Sequence, residues 1–349
     1  MTSDKGILIK NIYYMLSYAY QTLKESAYEN MGLEEFDNVH DLLAAILAKG
    51  VATQIKQGLY REYVVFEEDL SSLRGKLNMP GTIKNRLNKK QKLYCEYDEL
   101  SENNIFNQIL KTTMDILILQ NTVKPENKAV LKKNLLFFSG VDLINPKGIG
   151  WSRLRFQRNN QSYRMLINIC NMVLEGLLLS TDKGEYKLAD FIDEQRMCRL
   201  YEKFILEYYR FHHPEYKANP DQVAWDIDGD VVDFLPNMQT DITLKNKGKT
   251  LIIDAKYYQH TMQNQFDSYS VHSGNMYQIF TYVKNMDKNN TGDVAGALLY
   301  AKTQETIQPD NRYSIGGNQI IVRTLDLNLP FPSIADQLEM LANEYFNEA

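Results

Sequence analysis

The chain has 349 residues and a formal net charge of -5, with 44% hydrophobic and 24% charged residues. This length exceeds what one typical hydrophobic core supports, so we expect two domains, and the composition excludes long disordered segments. The negative charge excludes a protein that holds nucleic acid mainly through its overall field, but not a nuclease that uses local basic stretches or a nucleic-acid-binding partner.

The sequence also indicates a compartment. Its apolar runs are shorter than the roughly 20 residues of a membrane span, and residues 1–11 lack the layout of a secretory signal. Three widely spaced cysteines, Cys95, Cys170 and Cys198, favour a reducing environment and offer no zinc-ligand spacing. We therefore expect a cytoplasmic protein.

The spacing of apolar residues changes once within the first third of the chain. Apolar residues recur at helical spacing over 9–20 and 41–57, which predicts two amphipathic helices. From 59 to 100 the pattern is typical of short strands, punctuated by Gly75 and Pro80. This segment predicts a small β module.

A basic stretch lies inside the β module. It holds five basic residues within nine positions, namely Lys84, Arg86, Lys89, Lys90 and Lys92. These side chains are candidates for contact with DNA phosphates or with an acidic partner surface. A solvated loop tip between two strands explains them equally well, and both interpretations stay open.

Helical spacing then resumes, and a second region of strands follows. The expected helices cover 104–120, 127–136, 161–179, 197–209 and 274–286, and the expected strands cover 231–235, 239–244, 250–258 and 296–300. Residues 140–160, rich in Gly, Pro and Asn, suggest a junction. We expect a mixed helical N-terminal domain over 1–155, and over 156–349 an α+β or α/β domain with a central mixed sheet flanked by helices.

Two of these strands form an expected hairpin that joins two acids. If residues 246–249 form the loop, Lys245 faces Thr250, and counting outward places Asp241 opposite Asp254. Opposed residues have Cβ atoms about 5 Å apart, and like charges there are unfavourable unless something neutralises them. A divalent cation would do so.

Lys256 joins the acids because it lies two residues after Asp254 and points to the same face of the strand. Three charged groups on an apolar strand are costly unless they compensate one another or hold a metal. Oxygen ligands suit Mg²⁺, so Asp241, Asp254 and the carbonyl of Ala255 are candidate ligands for one or two ions. Phosphodiester hydrolysis needs an activated water and charge stabilisation, and Lys256 is placed to orient or deprotonate that water.

A further pair lies on the next helix. Gln278 and Tyr282 are four residues apart, hence on one helical face, after a plausible N-cap at Ser273. They are candidates to steady Lys256 or a DNA phosphate. A helix surface that happens to carry Gln and Tyr is the alternative.

The order Asp, then Asp-x-Lys, then Gln-x-x-x-Tyr resembles the RecB-like branch of the PD-(D/E)xK nuclease superfamily. Over nearly its whole length the chain also resembles the McrC family, the nuclease subunits of McrBC modification-dependent (5-methylcytosine) restriction systems. The matching stretches are 11–19 (Asn-Ile-Tyr-Tyr-Met-Leu-Ser-Tyr-Ala), 97–104 (Tyr-Asp-Glu-Leu-Ser-Glu-Asn-Asn), 240–242 (Thr-Asp-Ile), 253–258 (Ile-Asp-Ala-Lys-Tyr-Tyr) and 276–278 (Met-Tyr-Gln). Pro236 stands five residues before Asp241, so the eponymous Pro-Asp pair is absent.

The resemblance implies a restriction-endonuclease-like C-terminal domain and a Mg²⁺-dependent endonuclease that acts on double-stranded DNA with modified cytosine. It also implies a partner, an McrB-like AAA+ ring that hydrolyses GTP, while this chain binds no nucleotide itself. The N-terminal domain would dock on the ring and stimulate its GTPase. Some RecB-like nucleases add an acid from the helix before the sheet, for which Glu202 is the candidate, although a solvated glutamate explains it too.

Two other functions remain open. The chain could be a non-cleaving subunit that only stimulates its partner's GTPase, but intact Asp241, Asp254 and Lys256 weigh against a decayed site. It could also be a stand-alone RecB-like nuclease, which would not need the long N-terminal half.

Overall fold

The chain folds into two compact units. The computed structural model describes residues 3–4, 7–20, 36, 38–180, 186–188, 194–229, 233–258, 262–265, 268–302 and 308–347. One unit, here called the inserted unit, is 44–175, and the other, the sheet unit, combines 1–43 with 176–349. The units therefore differ from the consecutive domains 1–155 and 156–349 that the sequence suggested.

The first helix explains this difference. Helix α1 (Ile9–Ala19) packs along α7 (Glu194–His212) in the sheet unit. The Tyr18 hydroxyl lies 2.8 Å from Nε2 of His212, and Nδ2 of Asn11 donates to the carbonyl of Leu327 at 2.8 Å. The apolar stripe of α1 is thus buried against elements far along the chain, which helical periodicity alone does not reveal.

The inserted unit is mostly helical and contains a small antiparallel sheet in the order β3-β5-β4. Its elements are α2 (Val39–Gln57, which begins in the sheet unit), β3 (Glu62–Leu70), β4 (Lys76–Leu77), α3 (Met79–Leu87), β5 (Leu93–Ser101), α4 (Ile105–Leu119), α5 (Pro125–Leu135) and α6 (Tyr163–Asn171). The helices expected over 104–120 and 127–136 are confirmed as α4 and α5.

Two expectations for this region are wrong. Residues 79–87 are helix α3 rather than part of a loop between strands, because the Asn78 side chain accepts from the amide of Gly81 and Pro80 suits a first helical turn. The long helix expected over 161–179 is α-helical only over α6. It continues as a π-helix over Met172–Leu177 and then becomes a strand, because Leu178–Ser180 pairs with a later segment.

The sheet unit is built on a mixed five-stranded sheet, which confirms the expected mixture of helices with a central mixed sheet. Its strands are β10 (Ile242–Asn246), β11 (Lys249–Lys256), β14 (Val294–Ala301), β15 (Asn311–Ile315) and β16 (Asn318–Leu325), in the order β10-β11-β14-β16-β15. Strands β11, β14 and β16 are mutually parallel, while the two edge strands run antiparallel to their neighbours.

Helices and short ribbons complete the sheet unit. The helices are α1, α7, α8 (Ser273–Met286) and α9 (Phe331–Phe346). The antiparallel ribbons are β1 (Ser3–Asp4) with β2 (Ile7–Leu8), β6 (Leu178–Ser180) with β7 (Tyr186–Leu188), β8 (Gln222–Val223) with β9 (Met238–Gln239), and β12 (Met262–Gln265) with β13 (Ser268–Val271). None of the helices in the described ranges has the length and apolar content needed to cross a bilayer.

The sequence missed several elements here and misplaced one. Strands β15 and β16, helix α9 and most strands of the short ribbons were not expected. The strand expected over 231–235 is wrong for its described residues 233–235, which form an exposed turn with Phe234 at a positive φ of 65°. Residues 231–232 lie outside the described residues.

A glycine in the central sheet sets how closely α8 approaches. Ile279 and Val283 of α8 pack over Gly296 of β14, in a core cluster that also contains Ile252 and Leu298. A Cβ added to Gly296 would lie 2.6 Å from Cγ1 of Ile279 and 2.9 Å from Cγ2 of Val283. Close packing of this helix on the sheet therefore requires glycine at this position.

We expect Gly296→Ala to lower the free energy of unfolding of the sheet unit by about 1–3 kcal/mol, because the added methyl group overpacks the interface. Urea denaturation measures this. The matched control is Gly274→Ala on α8 itself, where an added Cβ has nothing within 4 Å and stability should not fall. Equal stability of wild type and Gly296→Ala would contradict the packing argument.

His213, directly after the end of α7, lies between two carboxylates, one of which belongs to α9. His213 places Nδ1 2.9 Å from Oε1 of Glu215 and Nε2 2.7 Å from Oε2 of Glu339. Partial burial lowers the pKa of His213, but the two carboxylates outweigh burial and raise the pKa above the ordinary 6.5. Because the pKa of His213 is higher in the folded state, its protonation stabilises the fold fully below the unfolded-state pKa. This stabilisation is lost as the pH rises through the folded-state pKa.

We therefore expect wild type to be more stable than His213→Gln near pH 6 and to lose most of this advantage by pH 9, since only the imidazolium forms charge-assisted bonds to both acids. The free energies of unfolding of both proteins, measured by urea denaturation across this range, provide the check. An advantage that is constant with pH would show that His213 acts through packing alone.

Candidate active site

The β10–β11 hairpin has the predicted register and a tighter turn than expected. Lys245 pairs with Thr250, as counted from the sequence. The expected loop 246–249 is wrong, because Asn246 pairs with Lys249 and leaves a two-residue turn, Lys247–Gly248, with φ values of 47° and 86°. Positive φ at both central residues is typical of a type I′ turn, which matches the twist of paired strands.

Asp241 sits at the end of this ladder. Strand pairing stops at Ile242 with Ile253, so Asp241 lies one residue beyond the last pair. Its Oδ2 accepts a hydrogen bond from the amide of Ala255 at 2.9 Å. The neighbouring Thr240 is buried, and its Oγ1 accepts from the amide of Asp221 at 2.9 Å. These bonds hold the Asp241 carboxylate against the carboxyl end of β11.

Asp254 and Lys256 form a buried ion pair on β11. Asp254 is 1% exposed, and its Oδ2 lies 2.9 Å from Nζ of Lys256. Oδ1 of Asp254 accepts no hydrogen bond from the described residues. A buried carboxylate oxygen without a donor is costly, which indicates that something else compensates it in the functional state.

Burial dominates the titration of the two acids. Burial, with the Asp254 and Glu202 carboxylates adding to it, raises the pKa of Asp241 to about 7 against the opposing effect of Lys256. Burial likewise raises the pKa of Asp254, opposed by Lys256 and then by Asp241. For Lys256 burial lowers the pKa, but Asp254 and Asp241 outweigh burial and raise it to about 12. Asp241 is therefore close to half protonated near pH 7, and a cation bound at the site would favour the form in which both carboxylates are ionised.

Helix α8 presents Gln278 and Tyr282 to the lysine. Nζ of Lys256 donates to Oε1 of Gln278 at 3.3 Å, and Nε2 of Gln278 donates to the Tyr282 hydroxyl at 2.9 Å. The structure therefore brings together Lys256 and the helical pair that the sequence singled out. Tyr282 is buried, so the hydrogen bond to its hydroxyl orients the Gln278 amide with Oε1 toward the ammonium of Lys256.

Glu202 lies near the acids without completing a metal site. It lines a cleft of about 350 Å³ together with Asp241, and its carboxylate raises the pKa of Asp241. Its Oε1 accepts from Sγ of Cys198 at 3.1 Å. In the described part of the chain, no three His, Cys, Asp or Glu side chains are grouped so as to hold an ion, and the role of Glu202 stays a prediction.

Sequence reasoning missed a second hydrogen-bonded group beside Lys256. Tyr300 is the β14 partner of Lys256, and its hydroxyl accepts from Nδ2 of Asn275 at 2.9 Å. The Tyr258 hydroxyl lies 3.4 Å from Oδ1 of Asn275. Spacing could have pointed to Tyr258, two residues after Lys256, and to Asn275, three before Gln278. Tyr300 had no local signal because parallel pairing joins residues far apart in sequence.

The basic stretch of the β module lies in the inserted unit. Its side chains are exposed on the end of α3 and the loop that follows, namely Lys84, Arg86, Lys89, Lys90 and Lys92. Lys90 forms an ion pair with Asp69 at 3.6 Å. Contact with DNA or a partner stays a prediction for these residues.

The donor set fits a hard divalent cation. Asp241 and Asp254 offer carboxylate oxygens, the ligand type that Mg²⁺ prefers, and a bound cation would keep both carboxylates ionised. The donor-free Oδ1 of Asp254 supports this fit. The carbonyl of Ala255 stays a predicted ligand, and the contact that the structure shows at this residue is the bond from its amide to Asp241.

Comparison with known proteins assigns the family. A family model described as "McrBC 5-methylcytosine restriction system component" matches residues 3–301. The chain belongs to this McrBC family. An Escherichia coli (strain K12) protein described as "Type IV methyl-directed restriction enzyme EcoKMcrBC" is 29% identical over 347 residues, covering 97% of this chain and 98% of the relative.

A solved structure is similar in fold. It is the "Refined half-complex from tetradecameric assembly of Thermococcus gammatolerans McrB AAA+ hexamers with bound McrC", and the match has a TM-score of 0.53 at 19% identity, covering 96% of this chain and 76% of that one. At this identity the match shows the fold alone.

The pair of buried carboxylates in this McrBC-family site allows a test of cation binding. We expect millimolar Mg²⁺ to raise the thermal midpoint of wild type by a few degrees, since a ligand at 100 times its Kd stabilises by about 2.7 kcal/mol. Asp254→Asn should show no such rise, while Asp336→Asn, at an exposed aspartate of α9, should keep it. Scanning calorimetry measures the midpoints, and an equal rise in Asp254→Asn would contradict binding at this site.

Proposed function

We propose that this McrBC-family chain is the Mg²⁺-dependent endonuclease subunit of a McrBC-type restriction complex that cleaves DNA containing modified cytosine. The observation that carries the proposal is the buried Asp254–Lys256 pair with Asp241 held against it at the carboxyl end of β11. Burying two charged groups on a central strand, with a third beside them, costs free energy. Phosphodiester hydrolysis is a reaction that requires such groups together.

The roles of the side chains follow from their charges and contacts. Asp241 and Asp254 would hold Mg²⁺, which when bound supplies charge stabilisation at the phosphate and a more acidic water. Lys256 stays protonated at neutral pH because its pKa is about 12, so it orients water and balances phosphate charge. Deprotonating the water is therefore the less suitable of its two predicted roles. Gln278 holds the ammonium in place through Oε1.

The fold of the sheet unit supports a PD-(D/E)xK assignment. That superfamily combines an acid, an Asp-x-Lys strand and, in its RecB-like branch, a Gln-x-x-x-Tyr helix. Here the acid precedes β10, the Asp-x-Lys sequence ends β11, and the Gln and Tyr lie on α8. We propose this fold and this branch for the sheet unit.

A partner ring is part of the proposal. The similar solved structure contains McrB AAA+ hexamers with bound McrC. By analogy we propose that this chain binds an McrB-like AAA+ GTPase ring, stimulates its GTP hydrolysis and binds no nucleotide itself. The two units would then divide the work, with the sheet unit cutting DNA.

The surface of the inserted unit supports its role in docking. Several large apolar side chains of the β module are about half exposed or more, namely Tyr63, Val65, Leu73, Met79, Ile83, Leu87 and Leu100. Clustered exposed apolar residues commonly mark protein interaction sites. The five basic side chains of the same module add positive charge, which suits an acidic surface on the ring or DNA within it.

The decisive variant is Asp254→Ala. We expect it to abolish DNA cleavage, at least a thousandfold, because it removes a charged group that acts in the transition state. Its association with the partner ring should be unchanged. A gel assay of methylated duplex DNA with Mg²⁺ and GTP measures cleavage. Co-sedimentation measures association with the partner ring.

The matched control is Asp336→Ala, which removes an exposed carboxylate of the same unit and should cut normally. Retained cleavage by Asp254→Ala would overturn the assignment. A wild-type chain that stimulates the GTPase but never cuts would favour a non-cleaving subunit, and cutting of unmodified DNA by the isolated chain would favour a stand-alone nuclease.

A further inference from the structure

A second, strongly basic cleft lies at the far end of the hairpin that carries the acids. It has a volume of about 300 Å³ and is lined by four lysines, namely Lys217, Lys245, Lys247 and Lys249, with Glu215 and the turn backbone. The whole chain carries a formal charge of -5, so this cleft is a local reversal of charge. Positive charge gathered on one face is the electrostatic footprint of a polyanion site.

Two acids near this cleft offset part of its charge, and two of its lysines stay without such a partner among the described residues. Glu215 is engaged by His213 at 2.9 Å, and Asp221 by Lys245 at 2.5 Å. Lys249 is anchored, since its Nζ donates to the carbonyl of Tyr345 at 3.4 Å. The ammonium groups of Lys217 and Lys247 are exposed and make no ion pair with any residue in the described ranges.

Both lysines stand at backbone positions where another residue type is usual. Lys217 and Lys247 have left-handed backbone conformations, with φ of 48° and 47°. Asn and Gly are the favoured residues at such positions, and an ordinary side chain there costs about 1 kcal/mol. Either lysine can therefore be replaced by asparagine without strain in the backbone.

The cleft is fixed relative to the acids. Thr250 pairs with Lys245, and the segment after Lys217 pairs with β10 through reciprocal bonds between Asn219 and Thr243 at 3.1 and 2.7 Å. Lys249 and Asp254 lie on the same strand, five residues apart, hence roughly 16 Å along it, and this odd separation directs their side chains to opposite faces of the sheet. Lys245, which pairs with Thr250, lies on the face of Asp254. A DNA strand advances about 3.4 Å per phosphate, so roughly five nucleotides span this distance.

From this juxtaposition we propose that the cleft formed by Lys217, Lys245, Lys247 and Lys249 binds the phosphate backbone of the DNA duplex about five nucleotides from the bond cut at Asp241 and Asp254. The proposal rests on the proposed nuclease function and adds a binding site to it. Lys217 and Lys247 supply the mobile charges that meet phosphates, while Lys245 and Lys249 shape the walls. The contact reads no base sequence, since phosphates are alike at every position.

The test is the salt dependence of DNA binding by the full chain assembled with its partner ring, without Mg²⁺ so that the duplex stays intact. The double variant Lys217→Asn with Lys247→Asn removes both charges and places a favoured residue in each left-handed position, so folding is preserved. The matched control is Lys132→Gln with Lys133→Gln, which removes two exposed charges from α5 of the inserted unit.

We expect the slope of log Kobs against log salt to become shallower by about 1.8 in the Lys217/Lys247 variant, with affinity near 0.15 M salt lowered roughly tenfold or more. The control should keep the wild-type slope. An unchanged slope in the Lys217/Lys247 variant would overturn the proposal, as would a wild-type complex without salt-dependent binding. Loss of ring association in place of DNA affinity would assign the cleft to a protein partner and overturn it too.

The experiment distinguishes failure of the nuclease proposal from failure of the phosphate-site proposal. If the wild-type complex binds DNA through these lysines but never cuts when Mg²⁺ is supplied, the phosphate site stands and the catalytic assignment falls. If it cuts normally and the Lys217/Lys247 variant binds like wild type, the catalytic assignment stands and the cleft has no part in binding.

Discussion

The burial of Asp254 beside Lys256 on a central strand is the constraint on which the sheet unit depends. A carboxylate that is 1% exposed needs compensation, and a single ammonium at 2.9 Å supplies only part of it once Asp241 lies near. The surrounding structure is arranged around this need. The Ala255 amide holds Asp241, Gln278 holds Lys256, and a divalent cation would allow both carboxylates to stay ionised.

Close packing makes this arrangement rigid. Helix α8 reaches Lys256 only because Gly296 lets Ile279 and Val283 sit directly on β14. The same helix carries Asn275, which bonds to Tyr300 beside Lys256. A small change of volume in the core thus bears on the position of the lysine, since interiors are packed densely enough to transmit it.

Burial of apolar faces, and not sequence order, determines which segments belong to each of the two units. Helix α1 buries its apolar face against α7, so residues 1–43 belong with 176–349, and the inserted unit 44–175 is a separate body in the middle of the chain. This insertion suits the proposed division of work, in which the sheet unit cuts DNA and the inserted unit docks on the partner. The two basic regions also separate, with the β-module lysines in one unit and the hairpin lysines in the other.

The sequence by itself determined the hairpin register, and hence that Asp241 and Asp254 meet, because side chains in a strand alternate with a strict period of two. It also determined that Gln278 and Tyr282 share a face, since helical spacing is local. The motif order and the matching stretches carried the family resemblance. The family is now shown, whereas the roles of the site residues stay proposals.

Only the tertiary structure decided what depends on contacts between distant segments. The insertion of 44–175, the pairing of Tyr300 with Lys256 and the two missed strands after β14 all rest on partners far away in sequence. The lysine cleft is of the same kind, because Lys217 joins the hairpin turn only through packing of its segment on β10. Local periodicity carries no information about such partners, since the same amphipathic pattern can be buried against any apolar face.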